Sequence, residues 1–416
     1  MPKLVNRPLR PVWLRETMSK RRADSPDSPA KRPRTCSLAY PTTSGASPPF
    51  QQPTPLLSFS YTPAHELVFN DSALRYYVPP PARAKLSHGY DRWIRRPEER
   101  SRIDSLLRAL SRAQSQKHPA LASGVGAVGW RGVLTRILTA PYEEREGWEM
   151  NVMCVKGILY LEEHRSEEML REKNDLAPRQ RIQTYYGYAF ESYCTCDSPH
   201  GTNIPQRPGD PMGWGGDVDT NVQWCSVVRT KLGDTRLVIG GEVDCVRGKF
   251  TGKTDNFVEL KTSMTIRGAQ DEARFEKKLL KFYMQSFLLG VPEIFVGFRT
   301  PSGEISTTQT FRTVEIPRMV RGKPHAWDPS MCFRWGDSFL RFLQAECRAQ
   351  GDEDESSVWR VTFRPGVGVD IALLDEAGVD EVVAGEDRVG FLPRWYWDEV
   401  GGKLGSPESG TDAGAD

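Results

Sequence analysis

Residues 239–263 have the sequence IGGEVDCVRGKFTGKTDNFVELKTS, in which two short runs rich in β-branched residues flank a polar, glycine-containing connection. This pattern is typical of a β-hairpin with a long loop. The first strand carries Glu242 and Asp244, and the second carries Glu259 and Lys261. Because side chains alternate between the two faces of a strand, the members of each pair share a face.

The loop of this hairpin is expected at about residues 248–255. A hairpin that folds symmetrically about it places Asp244 opposite Glu259. The same register places Glu242 opposite Lys261. Directly opposed side chains lie about 4.5–5.5 Å apart at Cβ. The sequence therefore predicts three carboxylates and one ammonium group on one patch.

Such a patch needs a cation, because clustered carboxylates repel one another and raise one another's pKa values. Mg²⁺ takes oxygen ligands, usually a few carboxylates together with waters and substrate phosphates. A neighbouring lysine can orient an attacking water or offset charge on a phosphate. The pattern favours metal-dependent cleavage of a phosphodiester or a pyrophosphate. The alternative is an exposed sheet face with cross-strand ion pairs.

The segments around the hairpin predict two further helices and two further strands. They are a helix at residues 181–193, a strand at residues 222–232, a helix at Ala269–Leu289 and a strand at Glu293–Arg299. Apolar residues recur at helical spacing in the longer helix, and Gly290 follows its last turn. With the hairpin, the predicted order is α-β-β-β-α-β, with acid-x-acid on one strand and Glu-x-Lys on the next. This order is the pattern of the PD-(D/E)xK nuclease core.

The composition places these elements in one large domain with tails. Residues 1–60 are rich in Pro, Ser, Thr and Arg and are expected to form a disordered basic tail. Residues 61–400 are expected to form a single catalytic domain, and residues 401–416 a second disordered tail. Basic clusters at residues 20–22 and 31–34 favour nuclear import over a generic solvated tail.

The overall charge and the cysteines limit the other possibilities. The chain has 416 residues and a formal net charge of +2, which by itself identifies no partner. Its eight cysteines are scattered, so we expect reduced thiols in an intracellular protein. No run approaches the roughly 20 apolar residues of a membrane span, and no membrane contact is expected.

Five short motifs, in order and at this spacing, resemble those of the DXO/Rai family of RNA 5′-end quality-control enzymes. The resemblance covers about residues 69–397 and is strongest to fungal Rai proteins. The matching positions are Arg131 in WRG, Glu191 in GYAFE, Glu242 and Asp244 in GEVD, Glu259 and Lys261 in VELK, and Gln285 in KFYMQSFLLG. Each motif alone is weak, whereas the ordered set is specific, and no catalytic position of the family is missing.

The resemblance implies a mixed α+β fold with two sheets and a pocket between them. It implies removal of pyrophosphate from 5′-triphosphate RNA and of the whole cap nucleotide from incompletely methylated caps, with NAD caps as a further candidate. It also implies a stable complex with a nuclear 5′→3′ exoribonuclease, and the basic clusters agree with a nuclear location.

The resemblance and the hairpin assign roles to the same residues. The expected metal ligands are Glu191, Asp244 and Glu259, with the carbonyl of Leu260 as a further candidate, for two Mg²⁺ or Mn²⁺ ions. The expected catalytic residues are Glu242, Lys261 and Gln285, with Glu242 reaching a metal through water. The expected substrate-binding residues are Arg131, Glu191, Glu242, Lys261 and Gln285, with Arg131 on the terminal phosphates.

Two other functions stay open from the sequence alone. The same core would serve a DNA nuclease, which activity on duplex DNA would reveal. The chain would also serve as a mainly non-catalytic subunit that stabilises the exoribonuclease. Hydrolysis of 5′-triphosphate RNA by the isolated chain would separate an enzyme from a scaffold.

Overall fold

The computed structural model of the chain describes residues 35–40, 45–116, 124–205, 207–349 and 355–401. In these ranges the strands are β1 (Thr35–Ala39), β2 (Thr54–Tyr61), β3 (Leu67–Val68), β4 (Tyr76–Tyr77), β5 (Ala127–Trp130), β6 (Trp148–Val155), β7 (Ile158–His164), β8 (Thr195–Cys196), β9 (Gln223–Leu232), β10 (Thr235–Glu242), β11 (Cys245–Val246), β12 (Phe257–Met264), β13 (Glu293–Arg299), β14 (Ile305–Arg312), β15 (Trp359–Arg364), β16 (Gly368–Leu373), β17 (Arg388–Val389) and β18 (Leu392–Pro393). The helices are α1 (Asp104–Gln116), α2 (Arg131–Thr139), α3 (Glu167–Asn174), α4 (Pro178–Cys194), α5 (Ala269–Leu289), α6 (Ile316–Val320), α7 (Pro329–Ala349), α8 (Glu376–Val383) and α9 (Arg394–Gly401).

Two mixed sheets form the framework. One has the strand order β1-β16-β15-β6-β7-β5-β10-β9-β2-β3, and the other has the order β14-β13-β12-β11-β4-β8. Helix α5 contacts β9 and β10 of the first sheet and β12 and β13 of the second, so it packs between them. The predicted mixed α+β fold with two sheets is therefore confirmed.

The elements expected around the hairpin form close to their predicted bounds. Helix α5 and strand β13 have the predicted residues, and β9 begins one residue later than expected. Gly290 ends α5 with a φ of 73°, the left-handed conformation that glycine adopts without steric cost. Helix α4 is longer than expected because it begins at Pro178, a residue suited to the first helical turn.

The predicted hairpin is only partly correct. Cys245 pairs with Val258, which is the register of the symmetric hairpin. However, Glu242 pairs with Cys225 of β9 and not with Lys261, because β10 belongs to the other sheet. The five residues of β10 that directly precede Glu242 are all buried. Both faces of the strand are thus covered, as they are inside a large sheet and not in a two-stranded hairpin.

The prediction of disorder over residues 1–60 is wrong for two segments. Strand β1 pairs with β16, and β2 pairs with β9. Leu56 and Phe59 are buried in the core, so this segment has apolar surface that the proline-rich composition concealed. Its partner strand is distant in sequence, which local composition does not reveal.

The two basic clusters and the predicted C-terminal tail after residue 401 lie outside the described residues. The described residues from Thr35 to Gly401 all belong to one compact unit, so the boundary expected at residue 61 does not separate a tail from a domain. Among the helices of the described ranges, each is too short or too polar to cross a membrane.

Helix α4 lies directly on β13 at Gly297. A Cβ atom added to Gly297 would lie 2.5 Å from the ring of Phe190, which stacks on Phe295 at 5.9 Å. We therefore expect Gly297→Ala to lower the free energy of unfolding by about 1–3 kcal/mol, the usual cost of overpacking a core. Urea unfolding followed by tryptophan fluorescence measures this change.

Gly187→Ala is the matched control for that substitution. Gly187 lies on α4 as well, but an added Cβ there would meet no atom within 4 Å. Alanine favours a helix over glycine, so the control is expected to keep or raise the stability of the wild type. An equal loss of stability in the two variants would contradict close packing at Gly297.

Candidate active site

The candidate site lies where the chain passes from the first sheet to the second. Glu242 ends β10, and Asp244 lies in the two-residue link to β11. The Cys245–Val258 pair brings this link beside β12, where the backbone N–H of Leu260 donates to Oδ2 of Asp244 at 2.6 Å. The crossing thus holds Asp244 next to the strand that carries Glu259.

Glu259 is the centre of the site. Its side chain is fully buried, and two cations bind its two oxygens. Nη1 of Arg131 donates to Oε2 at 2.7 Å, and Nζ of Lys261 donates to Oε1 at 2.6 Å. The structure therefore pairs Lys261 with Glu259 of its own strand, two residues away, and not with the predicted Glu242.

Arg131 reaches Glu259 because of how α2 begins. Strand β5 runs parallel to β10, with Trp130 beside Gly240, and Arg131 is the first residue of α2 directly afterwards. A Cβ atom added to Gly241 would lie 2.9 Å from Cβ of Arg131. The glycine next to Glu242 thus allows the arginine to pass close to the strand.

The charges around Glu259 set its protonation. Burial alone would raise the pKa of Glu259, but Arg131 and Lys261 outweigh burial and lower this pKa to about 2. Burial alone would also lower the pKa values of the two cations, and the carboxylates Glu259 and Asp244 raise both of them. Glu259 is therefore ionised and both cations are charged over the whole physiological pH range.

The other three carboxylates have the opposite tendency. Burial and the neighbouring Asp244 raise the pKa of Glu242 to about 7. Burial and Glu259 raise the pKa of Asp244 to about 6. Burial, Asp244 and Glu242 raise the pKa of Glu191, on the last turn of α4, well above its usual value. Negative charge is in excess here, since four carboxylates face two cations.

This donor set fits a divalent metal ion. Hard cations prefer several carboxylate oxygens, and a cation removes the repulsion that raises these pKa values. In the described part of the chain, no group of three or more His, Cys, Asp or Glu side chains is positioned to hold a metal ion as it stands, so these carboxylates would have to draw together around the ion. A carboxylate has about four lone-pair positions, so Glu259 keeps acceptor capacity beside its two cations.

Two cavities meet at this site. The smaller, which we call the acidic chamber, has a volume of about 250 Å³, and Glu191, Glu242 and Asp244 line it. The larger, which we call the arginine groove, has a volume of about 710 Å³ and is lined by Arg131, Gln285 and further arginines. Both cavities share the residues Tyr188, Thr220, Gln223 and Glu242. A substrate can therefore extend from the chamber into the groove.

The structure brings together all the residues expected at the site. Those on the chamber side are Glu191, Glu242 and Asp244, those on the groove side are Arg131 and Gln285, and Glu259, Leu260 and Lys261 lie on β12. Gln285 projects from the α5 helix that packs between the sheets. The bridging position of α5 therefore places the glutamine beside the arginine of α2.

Sequence reasoning missed two residues of the shared wall. Nε2 of Gln223 donates to Oε2 of Glu242 at 3.0 Å and so orients that carboxylate. Glu242 is opposite Cys225 in the sheet, and Gln223 lies two residues away on the same face. Tyr188 lies three residues before Glu191 on α4, a spacing that places both on one helix face and was visible in the sequence.

Comparisons with known proteins give matches over most of the chain. The model of the family described as "RAI1 like PD-(D/E)XK nuclease" matches residues 51–397. A Mycosarcoma maydis protein named "Decapping nuclease RAI1" is 37% identical, over 90% of this chain and 92% of its own length. A Rattus norvegicus protein named "Decapping and exoribonuclease protein" is 36% identical, over 85% of this chain and 86% of its own length. The crystal structure of S. pombe Rai1 is similar with a TM-score of 0.67 and 27% identity, covering 83% of this chain and 100% of that one.

Proposed function

We infer the function from the family, because the chain belongs to the RAI1-like PD-(D/E)XK nucleases, as its motifs predicted. It is therefore a hydrolase of nucleic acid. We propose that it acts on RNA 5′ ends, removing pyrophosphate from 5′-triphosphate RNA and the whole cap nucleotide from incompletely capped RNA. NAD-capped RNA is a further candidate substrate. The names of the two relatives at 37% and 36% identity support decapping as the reaction.

The arrangement around Glu259 carries this proposal. A buried carboxylate held by an arginine and a lysine, beside three more carboxylates, is a site for a cation and a phosphate together. In the proposal, Glu191, Asp244, Glu259 and the carbonyl of Leu260 hold Mg²⁺ or Mn²⁺, with two ions in the full site. When bound, such ions would polarise the phosphate oxygens and lower the pKa of a water, so that it could lose a proton and attack as hydroxide.

The remaining residues act directly on the substrate. Arg131 lines the arginine groove, and a guanidinium there binds the phosphates of the RNA end. Lys261 offsets charge that develops on the scissile phosphate, and Gln285 orients that phosphate or the water. Glu242, oriented by Gln223, accepts the proton of the attacking water.

The expected product supports a proposal for a partner of this chain. Removal of pyrophosphate or of a cap leaves a 5′-monophosphate end, which is the end that a 5′→3′ exoribonuclease requires. We therefore propose that the chain works in a complex with a nuclear 5′→3′ exoribonuclease. The basic clusters at residues 20–22 and 31–34 support a nuclear location.

Release of pyrophosphate tests the proposed function. We expect the purified chain, with Mg²⁺ or Mn²⁺, to release pyrophosphate from 5′-triphosphate RNA, and EDTA to stop the reaction. A duplex DNA of the same sequence is the control, and it should stay intact. Cleavage of the DNA would favour the DNA nuclease, whereas no reaction with either substrate would favour the stabilising subunit.

A further inference from the structure

The arginine groove extends well beyond the residues assigned so far. Its arginines are Arg96, Arg100, Arg102, Arg108, Arg131 and Arg165. Its carboxylates are fewer: Glu98, Glu99, Asp104 and Glu242. The acidic chamber has the reverse balance, with five carboxylates and, among the described residues, Arg75 as its arginine. A chain of phosphates that starts at Arg131 is therefore attracted along the groove.

Two of these arginines are available to a ligand. Arg108 is exposed on α1, its guanidinium lies 5.1 Å from the ring centre of Trp395, and no carboxylate of the described ranges pairs with it. Arg96 pairs with Glu99 at 3.0 Å, and the carboxylate is 61% exposed. Ion pairs this exposed contribute little stability, so a phosphate can replace Glu99.

The other arginines of the groove serve the fold. Arg102 pairs with the buried Glu162 at 3.1 Å, and Arg165 pairs with Glu98 at 2.6 Å. Arg100 pairs with a carboxylate of α3 at 2.8 Å. These three hold the groove wall in place and leave the binding role to Arg96 and Arg108.

A flat aromatic platform lies on the same wall. The ring of His65 stacks on Tyr61 with ring centres 4.1 Å apart and an angle of 13° between the planes. His65 has a φ of 57°, a left-handed backbone conformation that is unfavourable for residues other than glycine. Such residues cluster at functional sites. Its Nδ1 lies 3.1 Å from the carbonyl oxygen of Asn221, which fixes the ring. Burial and the nearby Arg96 contribute to a lowered pKa of His65, so the platform and the arginine are neighbours.

We propose that three parts of the arginine groove that lie outside the sequence motifs, namely the His65–Tyr61 platform, Arg96 and Arg108, contact the nucleotides on the 3′ side of the scissile phosphate of single-stranded RNA and so favour longer strands. One base stacks on the His65–Tyr61 platform, and the following phosphates contact Arg96 and Arg108. Aromatic rings and arginines are the groups with which proteins bind unpaired bases and their backbone. This inference rests on the proposed function, which places the reacting phosphate where groove and chamber meet.

The proposal makes the reaction depend on RNA length. In this proposal, a dinucleotide with a 5′-triphosphate occupies only the region where the acidic chamber meets the arginine groove. A longer strand also reaches the His65–Tyr61 platform, Arg96 and Arg108. We expect the wild type to have a higher kcat/KM for a longer single-stranded RNA than for the dinucleotide. His65→Asn and Arg108→Gln should each reduce this ratio by about tenfold, the loss of one stacked base or phosphate contact.

The variants are chosen to keep the fold. Asparagine tolerates the left-handed backbone of His65, and glutamine is a good helix former at Arg108. Arg318→Gln is the matched control, because Arg318 is an exposed helical arginine that lines neither cavity. The control should keep the wild-type ratio of kcat/KM values.

The Kd for a 5′-monophosphate RNA, measured by fluorescence anisotropy, tests this inference independently of the proposed hydrolysis. Weaker binding by His65→Asn and Arg108→Gln, with wild-type binding by Arg318→Gln, supports the groove even if no hydrolysis occurs. Hydrolysis without any preference for the longer RNA would contradict RNA binding in the groove. Wild-type binding together with wild-type length preference in both variants would also contradict it. Either result would leave the proposed function standing.

Discussion

Replacement of Glu259 by glutamine is expected to abolish hydrolysis of every 5′-end substrate while the chain remains folded. Glutamine has nearly the same shape, but it lacks the charge that Arg131 and Lys261 bind at 2.7 and 2.6 Å. The proposed metal loses a ligand that no neighbour replaces. Mutation of a residue that only hydrogen-bonds to a metal ligand typically lowers metal affinity or activity by about 10–100-fold. Because Glu259 is proposed as a ligand itself, we expect its replacement to lower the activity by more than about 100-fold.

The chain should still fold after this change, because other carboxylates near Arg131 and Lys261 offset their charges. Asp244 and Glu242 also raise the pKa of Arg131, so its charge stays partly compensated. The loss of stability should then fall below the roughly 3–5 kcal/mol of an uncompensated buried charge. Thermal unfolding measures the stability, and release of pyrophosphate from 5′-triphosphate RNA measures the activity.

Glu276→Gln is the control for this experiment. Glu276 is a buried glutamate of α5 that pairs with Lys323, away from both cavities. The control removes a buried charge from a similar ion pair, and we expect it to keep wild-type hydrolysis at temperatures where it is folded. Equal activity in the wild type and Glu259→Gln would rule out Glu259 as a metal ligand.

The elements predicted most accurately are those whose ends are indicated by nearby residues in the sequence. The apolar spacing of α5 and the Gly290 after it gave the helix its observed bounds. The register around Cys245 followed from the two acid-bearing runs alone. Each of these features depends on residues close together in the chain, which a single sequence displays.

What the sequence did not reveal depends on distant partners. Nothing near Glu242 indicates that β10 pairs with β9 and β5 and so leaves the second sheet. The same holds for β2, which is ordered because it pairs with β9 across more than 160 residues of chain. The ion pair between Arg131 and Glu259 also joins residues 128 positions apart. The motifs indicated which residues share the site. Which of them form ion pairs is decided by the passage of the chain from the first sheet to the second between β10 and β11.

Replacement of Lys261 by methionine is expected to lower kcat by about 10²–10³-fold, the usual cost of removing one group that stabilises transition-state charge. Methionine fills a similar space without the charge. Arg131 still binds Oε2 of Glu259 at 2.7 Å, so the carboxylate stays ionised and in position. Because Arg131 also keeps its place at the groove, the Kd for 5′-monophosphate RNA should change much less than kcat.

Lys323→Met is the matched control, since Lys323 pairs with Glu276 and Glu272 outside both cavities. Single-turnover hydrolysis gives the rate of the chemical step, and anisotropy gives the Kd for RNA. A fall in affinity as large as the fall in rate would mean that Lys261 holds the RNA equally before and during the reaction. A fall in rate alone would mean that the charge of Lys261 interacts with the phosphate more strongly in the transition state than in the bound RNA.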